Sequence, residues 1–308
     1  MYTLTKFTFT IGLIALSASN ALYAGDSNGG IGQKISFVPS ASAAMIPSTP
    51  SDPRLAKATG EPLVFSAPPR ESAEEGERIY QPIAEHLSRS LGRKVEYHHP
   101  KSSLSYQSEM ARGSYDITFE ESHFSSWGSS HLSHTALVKI ADENSFVVIT
   151  RKDNSQITAL KQLAGKKICA IGASDLGAMT VLAEFDPMRQ PLVMENANWA
   201  KVYEGVMDGR CVAGSLPTAI LRKLDAAGKF THTLHRSRVL PSQSFSASPR
   251  VTSEEQAKLT KALLSTEGKR VLEPLLSANG AEAGLALTSK DEHAGMDSYL
   301  KNVWGFGH

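Results

Sequence analysis

From Pro62 onward the chain repeatedly sets a short apolar run beside a stretch of helical spacing, and this alternation restricts the fold more than any other feature. Leu63-Val64-Phe65-Ser66 reads as a strand. Ser72-Ala-Glu-Glu75 has the form of a capping box, after which Ile79, Ile83, Leu87 and Leu91 share one helical face until Gly92. The pattern then predicts a strand at Val95–His98, a helix near Leu104–Arg112 stopped by Gly113, and strands at Tyr115–Phe119 and Ala136–Ile140. That βαβαβ order implies a mostly parallel sheet. After Arg151 a second series is predicted: a short helix at Ile157–Leu163, a strand at Ile168–Ile171, a helix at Leu176–Phe185, a strand at Leu192–Glu195, a helix at Trp199–Met207 and a strand at Cys211–Leu216. The sum is an α/β chain of two lobes, each with its own sheet.

The lobes echo each other. Tyr106-x-x-x-Met110-Ala-Arg-Gly113 and Tyr203-x-x-x-Met207-Asp-Gly209 each run from a helix through a glycine stop into a strand. Two extended regions, Ser145–Thr150 and Ser242–Ser248, fall where the chain would cross between lobes, and the helices after Ser253 and the Tyr299–Trp304 segment would return to the first. The expected limits are residues 61–149 with 246–308 for lobe 1 and residues 150–245 for lobe 2. Two lobes joined by two crossing strands can close by a hinge around a ligand.

Residues 1–24 carry one Lys, an apolar run from Phe7 to Leu16 and small residues ending at Ala21 or Ala24, the pattern of a signal peptide with export to the periplasm. Residues 25–60, rich in Ser, Ala, Gly and Pro, read as a flexible leader. Of 308 residues, 32 are Lys or Arg and 31 Asp or Glu; loss of Lys6 with the leader leaves 31 − 31 = 0. Such a balance argues against nucleic acid and for a small-molecule partner. Cys169 and Cys211 fall in two strands of the same lobe and are expected to form a disulfide, two buried thiols being the competing reading. No Walker loop, Gly-x-Ser-x-Gly elbow or His-Glu-x-x-His occurs, so no enzyme activity and no cofactor are expected.

Several blocks resemble the type-2 periplasmic binding proteins: Leu63-Val-Phe-Ser, the helix with Tyr80-x-Pro82-Ile-Ala-x-x-Leu87, Lys94-Val-Glu-Tyr, Gly113-Ser-Tyr-Asp116-Ile, Val148-Ile-Thr-Arg-Lys-Asp153 and Leu160-x-x-Leu163-Ala-Gly165-Lys-Lys-Ile168. The chain is most similar to the phosphate/phosphite/phosphonate group of ABC-transporter substrate-binding proteins, over about residues 62–285. The resemblance implies a two-lobe fold, capture of a small anion by hinge closure, and a membrane permease as partner, the protein itself working as a monomer. Two segments depart from the group's pattern. A Ser/Thr-Ser/Thr-Gly turn is replaced by Gly172-Ala-Ser174-Asp175-Leu-Gly177, and an apolar-Gly-Pro-aromatic loop by Glu120-Glu121-Ser122-His123-Phe124.

Ligands of open α/β sheets bind beyond the carboxyl ends of the strands. The candidates there, with Tyr80 on the adjoining helix, are Arg70, Tyr80, His98, Lys101, Glu121, His123, Ser174 and Trp199. Arg70 is a possible anion partner, a plain charged helix start being the competing reading. His98, Lys101 and Ser side chains can donate to an anion while carboxylates meet an ammonium group of a zwitterionic ligand. Alternatively His98, His99, Glu120, Glu121 and His123 could hold a transition metal or metal complex, or all could be solvated loop residues. Ser174 and Asp175 could serve a phosphate-like group or simply cap the helix that follows. A further alternative to transport is a ligand-binding sensory or accessory module.

Overall fold

The computed structural model describes residues 60–303, 305 and 306. The expected signal peptide, the leader as far as Thr59, and Trp304 lie outside the described residues. In chain order the elements are β1 Leu63–Ser66, α1 Ala73–Leu91, β2 Val95–Tyr97, α2 Ser103–Ala111, β3 Ile117–Glu120, α3 Ser122–His131 and β4 Thr135–Ile140. Next come β5 Phe146–Arg151, β6 Lys167–Ala170, α4 Leu176–Leu182, β7 Leu192–Glu195, α5 Trp199–Met207, β8 Ala213–Pro217, α6 Thr218–Leu224 and β9 Thr231–Arg236. The chain ends with β10 Ser244–Ala247, α7 Ser253–Leu264, α8 Thr266–Ala278, β11 Leu285–Leu287 and α9 Lys290–His293.

Two sheets form, in the orders β11-β4-β10-β3-β1-β2 and β7-β6-β8-β5-β9. In the first, β1 lies parallel to β2 and β3, as the βαβαβ pattern implies. β4 does not join them: the late strand β10 inserts between β3 and β4, antiparallel to both. In the second, β6 is parallel to β7 and β8, while β5 runs antiparallel to β8 and β9.

The strands move the expected lobe limits. Phe146, Val147, Val148 and Ile149 are all buried, and a run apolar on both faces needs cover on both faces. It finds that cover inside the second sheet, so Phe146–Arg151 is not a crossing segment. Ser244–Ala247 likewise belongs to the first sheet. The crossings are the shorter stretches Asp142–Ser145 and Pro241–Gln243, which are tied together: Leu240 N–H donates to the Asn144 carbonyl at 2.8 Å, and Asn144 Nδ2 to Pro241 O at 3.3 Å.

Local signals explain most elements. The Ser72 hydroxyl accepts from Glu75 N–H at 3.2 Å and starts α1. The Glu75 carboxylate turns to Arg78 instead (Nε–Oε2 2.9 Å), so only half of the expected capping box forms. Ile79, Ile83 and Leu87 then face the first core with Phe65, Phe245 and Leu272. α7 and α8 pack on α1, returning to the first sheet as expected. The two glycine stops occupy equivalent places: after the C-caps Arg112 and Asp208, Gly113 and Gly209 take φ of 69° and 79°, which a glycine adopts freely. The chain's last turn also returns as expected, Leu300 and Phe306 packing with Tyr106, Phe124 and Trp127 of the first lobe, while Met296 just before it sits in the second core.

Cys169 on β6 and Cys211, just ahead of β8, form a disulfide across 42 residues of sequence. Cross-linking removes loop entropy from the unfolded chain. Reduction is therefore expected to lower the unfolding free energy by about 3–4 kcal/mol. Urea midpoints with and without reductant measure this, and coincident curves would show that the link contributes nothing.

Candidate functional site

The seam between the lobes is built around Arg70, in the loop between β1 and α1. Its side chain is 8% exposed, and neither Nη1 nor Nη2 has a hydrogen-bond partner. Glu121, the N-cap residue of α3, faces it with Nη2–Oε2 at 3.7 Å. Burial opposes the Arg70 charge, but the Glu121 carboxylate, helped by other anionic side chains, holds its pKa above the ordinary value.

Glu121 also reaches the other lobe. Its Oε2 accepts the backbone N–H of Leu176, the first residue of α4, at 3.0 Å. His123 Nε2 lies 3.0 Å from the Ser174 carbonyl. A carbonyl can only accept, so His123 carries its proton on Nε2. Burial lowers the His123 pKa, which leaves the ring neutral at pH 7. Gln107 Nε2 donates to Ser174 Oγ, and Ser103 Oγ to Glu195 Oε1 at 3.3 Å. Four side chains of the first lobe thus fasten it to the second.

Asp175 caps α4 through Oδ2, which accepts Ala178 N–H at 3.1 Å; its Oδ1 is buried without a partner. Burial, and then the nearby Glu121 charge, raise its pKa well above the carboxylate range. Deeper in, Glu120 accepts from Tyr106 OH and from Thr118 Oγ1. Burial pushes the Glu120 pKa up to about 7 against those bonds and the Arg70 charge.

Two cavities meet at Arg70. The first, between Gln107 and Glu121 on one side and Ser174 and Asp175 on the other, has a volume of about 20 Å³. That is room for about one water, less than a tetrahedral phosphonate group needs. The second, between the start of α1 and the C-terminal end of α8 in one lobe and the start of α5 and the later part of α6 in the other, measures about 330 Å³.

Of the sequence candidates, the structure brings Arg70, Glu121, His123 and Ser174 together. Tyr80 and Trp199 are buried and border the second cavity. His98 and Lys101 line neither cavity: half-exposed His98 turns to Glu109 (Nε2–Oε2 3.4 Å), and Lys101 is exposed. The strand-end rule places these loops but not the direction of their side chains. The alternative metal set does not assemble either. His99 Nδ1 is engaged with Tyr97 OH at 3.0 Å, Glu120 is sealed against Tyr106, and among the described residues no three His, Cys, Asp or Glu side chains could hold a metal ion. Ser103 and Gln107 escape the sequence, since a Ser or Gln at a helix start or interior carries no signal of its partner. The partnerless, shielded Glu71 Oε1 shows only in the structure.

Two α/β lobes with a polar seam fastened from both sides define a two-lobe solute-binding protein. The solved structures that it resembles share that fold. A binding-protein component of an ABC phosphonate transporter from Pseudomonas aeruginosa aligns with a TM-score of 0.58 at 13% identity, covering 76% of this chain and 83% of that one. PhnD1 from Prochlorococcus marinus, solved in complex with methylphosphonate, gives 0.62 at 11% identity, with 79% and 98% covered. A Xanthomonas citri protein bound to ATP gives 0.59 at 14%, with 79% and 99% covered. None of the curated proteins matches the sequence. The family model for the periplasmic substrate-binding protein of phosphonate ABC transporters matches residues 65–286, and the chain belongs to that family.

The raised Glu120 pKa has a measurable consequence. Below pH 4.5 the folded and unfolded forms both hold the proton; between 4.5 and about 7 only the folded form keeps it, so the stability contributed by this group is lost as pH rises through 7. Gln at this position does not titrate. Relative to Glu120→Gln, the wild type should lose about 2–3 kcal/mol of stability between pH 5 and pH 8. Urea unfolding of both proteins at the two pH values tests this, and a difference independent of pH would refute it.

Proposed function

We propose that this chain is the solute-capturing component of an ABC importer, exported to the periplasm behind residues 1–24 and binding a small phosphorus oxyanion of the phosphonate, phosphite or phosphate type. It works as a monomer that delivers its ligand to a membrane permease, without nucleic acid. Family membership supports the reading, and one observation carries it to a residue: Arg70 is buried at the seam of the lobes with both terminal nitrogens unbonded. A planar guanidinium fork matches two oxygens of a phosphonate, and the bonds are charge-assisted.

The ligand competes with Glu121 for Arg70. Glu121 is also the residue that holds Leu176 of the second lobe, so occupation of the Arg70 fork and the fastening of the lobes are coupled. Entry of the anion requires the seam to open, because the cavity of about 20 Å³ does not admit it. The crossings at residues 142–145 and 241–243 are the place for that movement. Contacts to both lobes in the closed form then give the differential affinity that favours closure.

Isothermal titration with methylphosphonate, phosphite and phosphate tests the reading. Arg70→Met should weaken the ligand bound best by about 100-fold, the effect of losing a charge-assisted bidentate contact. Lys101→Ala, at an exposed position outside both cavities, should stay within about twofold. An Arg70→Met protein that retains its fold and binds as the wild type does would overturn the assignment.

A further inference from the structure

We infer that the second cavity at the seam is a subsite for the organic substituent of the ligand, and that the protein takes organophosphorus anions bearing a substituent much larger than methyl. The inference rests on the phosphonate reading above and adds a substrate class to it.

Three observations carry it. First, the two cavities share Arg70 as a common wall, so an oxyanion that takes its Nη atoms when the seam opens lies beside the larger space. The first cavity, at about 20 Å³, is filled by Glu121, Ser174 and Asp175; the second offers about 330 Å³. That size is typical of pockets holding multi-ring or extended ligands. A methyl group would leave nearly all of it to water.

Second, part of the wall is apolar. Ile79, Trp199, Ile220 and Leu275 present apolar surface, which rewards burial of hydrocarbon or a flat ring. Third, polar groups also line the cavity. Glu71, next to Arg70, has a shielded Oε1 without a partner, and burial raises its pKa to about 7 against the Arg70 charge. At neutral pH such a carboxyl is present in both forms and can donate to an oxyanion or accept from a ligand N–H or O–H. Lys223, whose Nζ donates to the Ser277 carbonyl at 3.5 Å, is also among the lining residues and can turn to a second acceptor on a long substituent. An acidic head, an apolar body and a polar tip describe the ligand that these walls fit.

The test is isothermal titration of the whole protein with methylphosphonate and phenylphosphonate. Phenylphosphonate should bind at least about tenfold more tightly, from the ring area removed from water. Ala278→Phe and Ala200→Phe place a ring into the cavity from exposed positions, and thermal melts check that both proteins remain folded. In each, the phenyl-to-methyl preference should fall to about one. Methylphosphonate binding with no preference for the phenyl compound would overturn the inference and leave the phosphonate reading standing. So would a preference that survives in both folded variants. Failure of both compounds to bind the wild type would remove the phosphonate reading and the inference with it.

Discussion

A guanidinium cannot be buried without an answer to its charge, and the seam of this protein is organised around that requirement. Arg70 loses its water at the junction of the lobes, where removing an ion from solvent costs several kcal/mol. Glu121 supplies the countercharge, and its second task is to accept Leu176 N–H from the other lobe. Burial and the Glu121 charge both raise the pKa of Asp175 in the other lobe, so its titration is linked to the charge pair of the first. On the proposed reading, opening of the lobes exposes all of these groups to water at once.

The frame that holds Arg70 depends on a second buried pair. Asp116 receives Arg250 Nε at 2.6 Å and Val64 N–H at 2.7 Å, while Arg250 Nη2 donates to Tyr115 O. These bonds tie the entry of β3 to β1 and to the segment after β10. The late strand β10 thereby locks into the middle of the first sheet, and the chain must complete its excursion through the second lobe before the first is closed. The Asn144–Leu240 bridge keeps the outgoing and returning crossings side by side.

What the sequence discloses follows from the range of the interactions involved. α1 is legible because Ser72 and the Ile79, Ile83, Leu87 spacing are local, and the matched stops at Gly113 and Gly209 are legible for the same reason. α3 is not: Ser122 to Gly128 are buried although five of the seven are Ser, His or Gly beside the two aromatics, so no apolar stripe marks the helix. The placement of β10 is equally hidden, since it depends on partners more than 100 residues away. At the site, Arg70, Glu121, His123 and Ser174 could be found from strand ends alone, because loops there must converge. His98 and Lys101 fulfil the same rule yet turn aside, and Gln107 meets Ser174 from within a helix where nothing distinguishes it.

The departures from the family pattern acquire a physical sense in this setting. Where the resemblance implies Ser/Thr-Ser/Thr-Gly, this chain has Gly172-Ala-Ser174-Asp175-Leu-Gly177, and two N–H groups at the helix start there are already engaged: Leu176 N–H by Glu121 and Ala178 N–H by Asp175. An anion arriving there would have to displace two carboxyl groups of the protein itself. Arg70 makes no hydrogen bond through its Nη atoms, of which Nη2 faces Glu121 at 3.7 Å, and it borders the larger cavity. On the proposed reading the loss of hydroxyls in the turn and the burial of an arginine opposite it are one change. The turn has become a lobe-to-lobe fastening, and the recognition of the anion passes to a guanidinium that has room beside it for whatever the phosphorus carries.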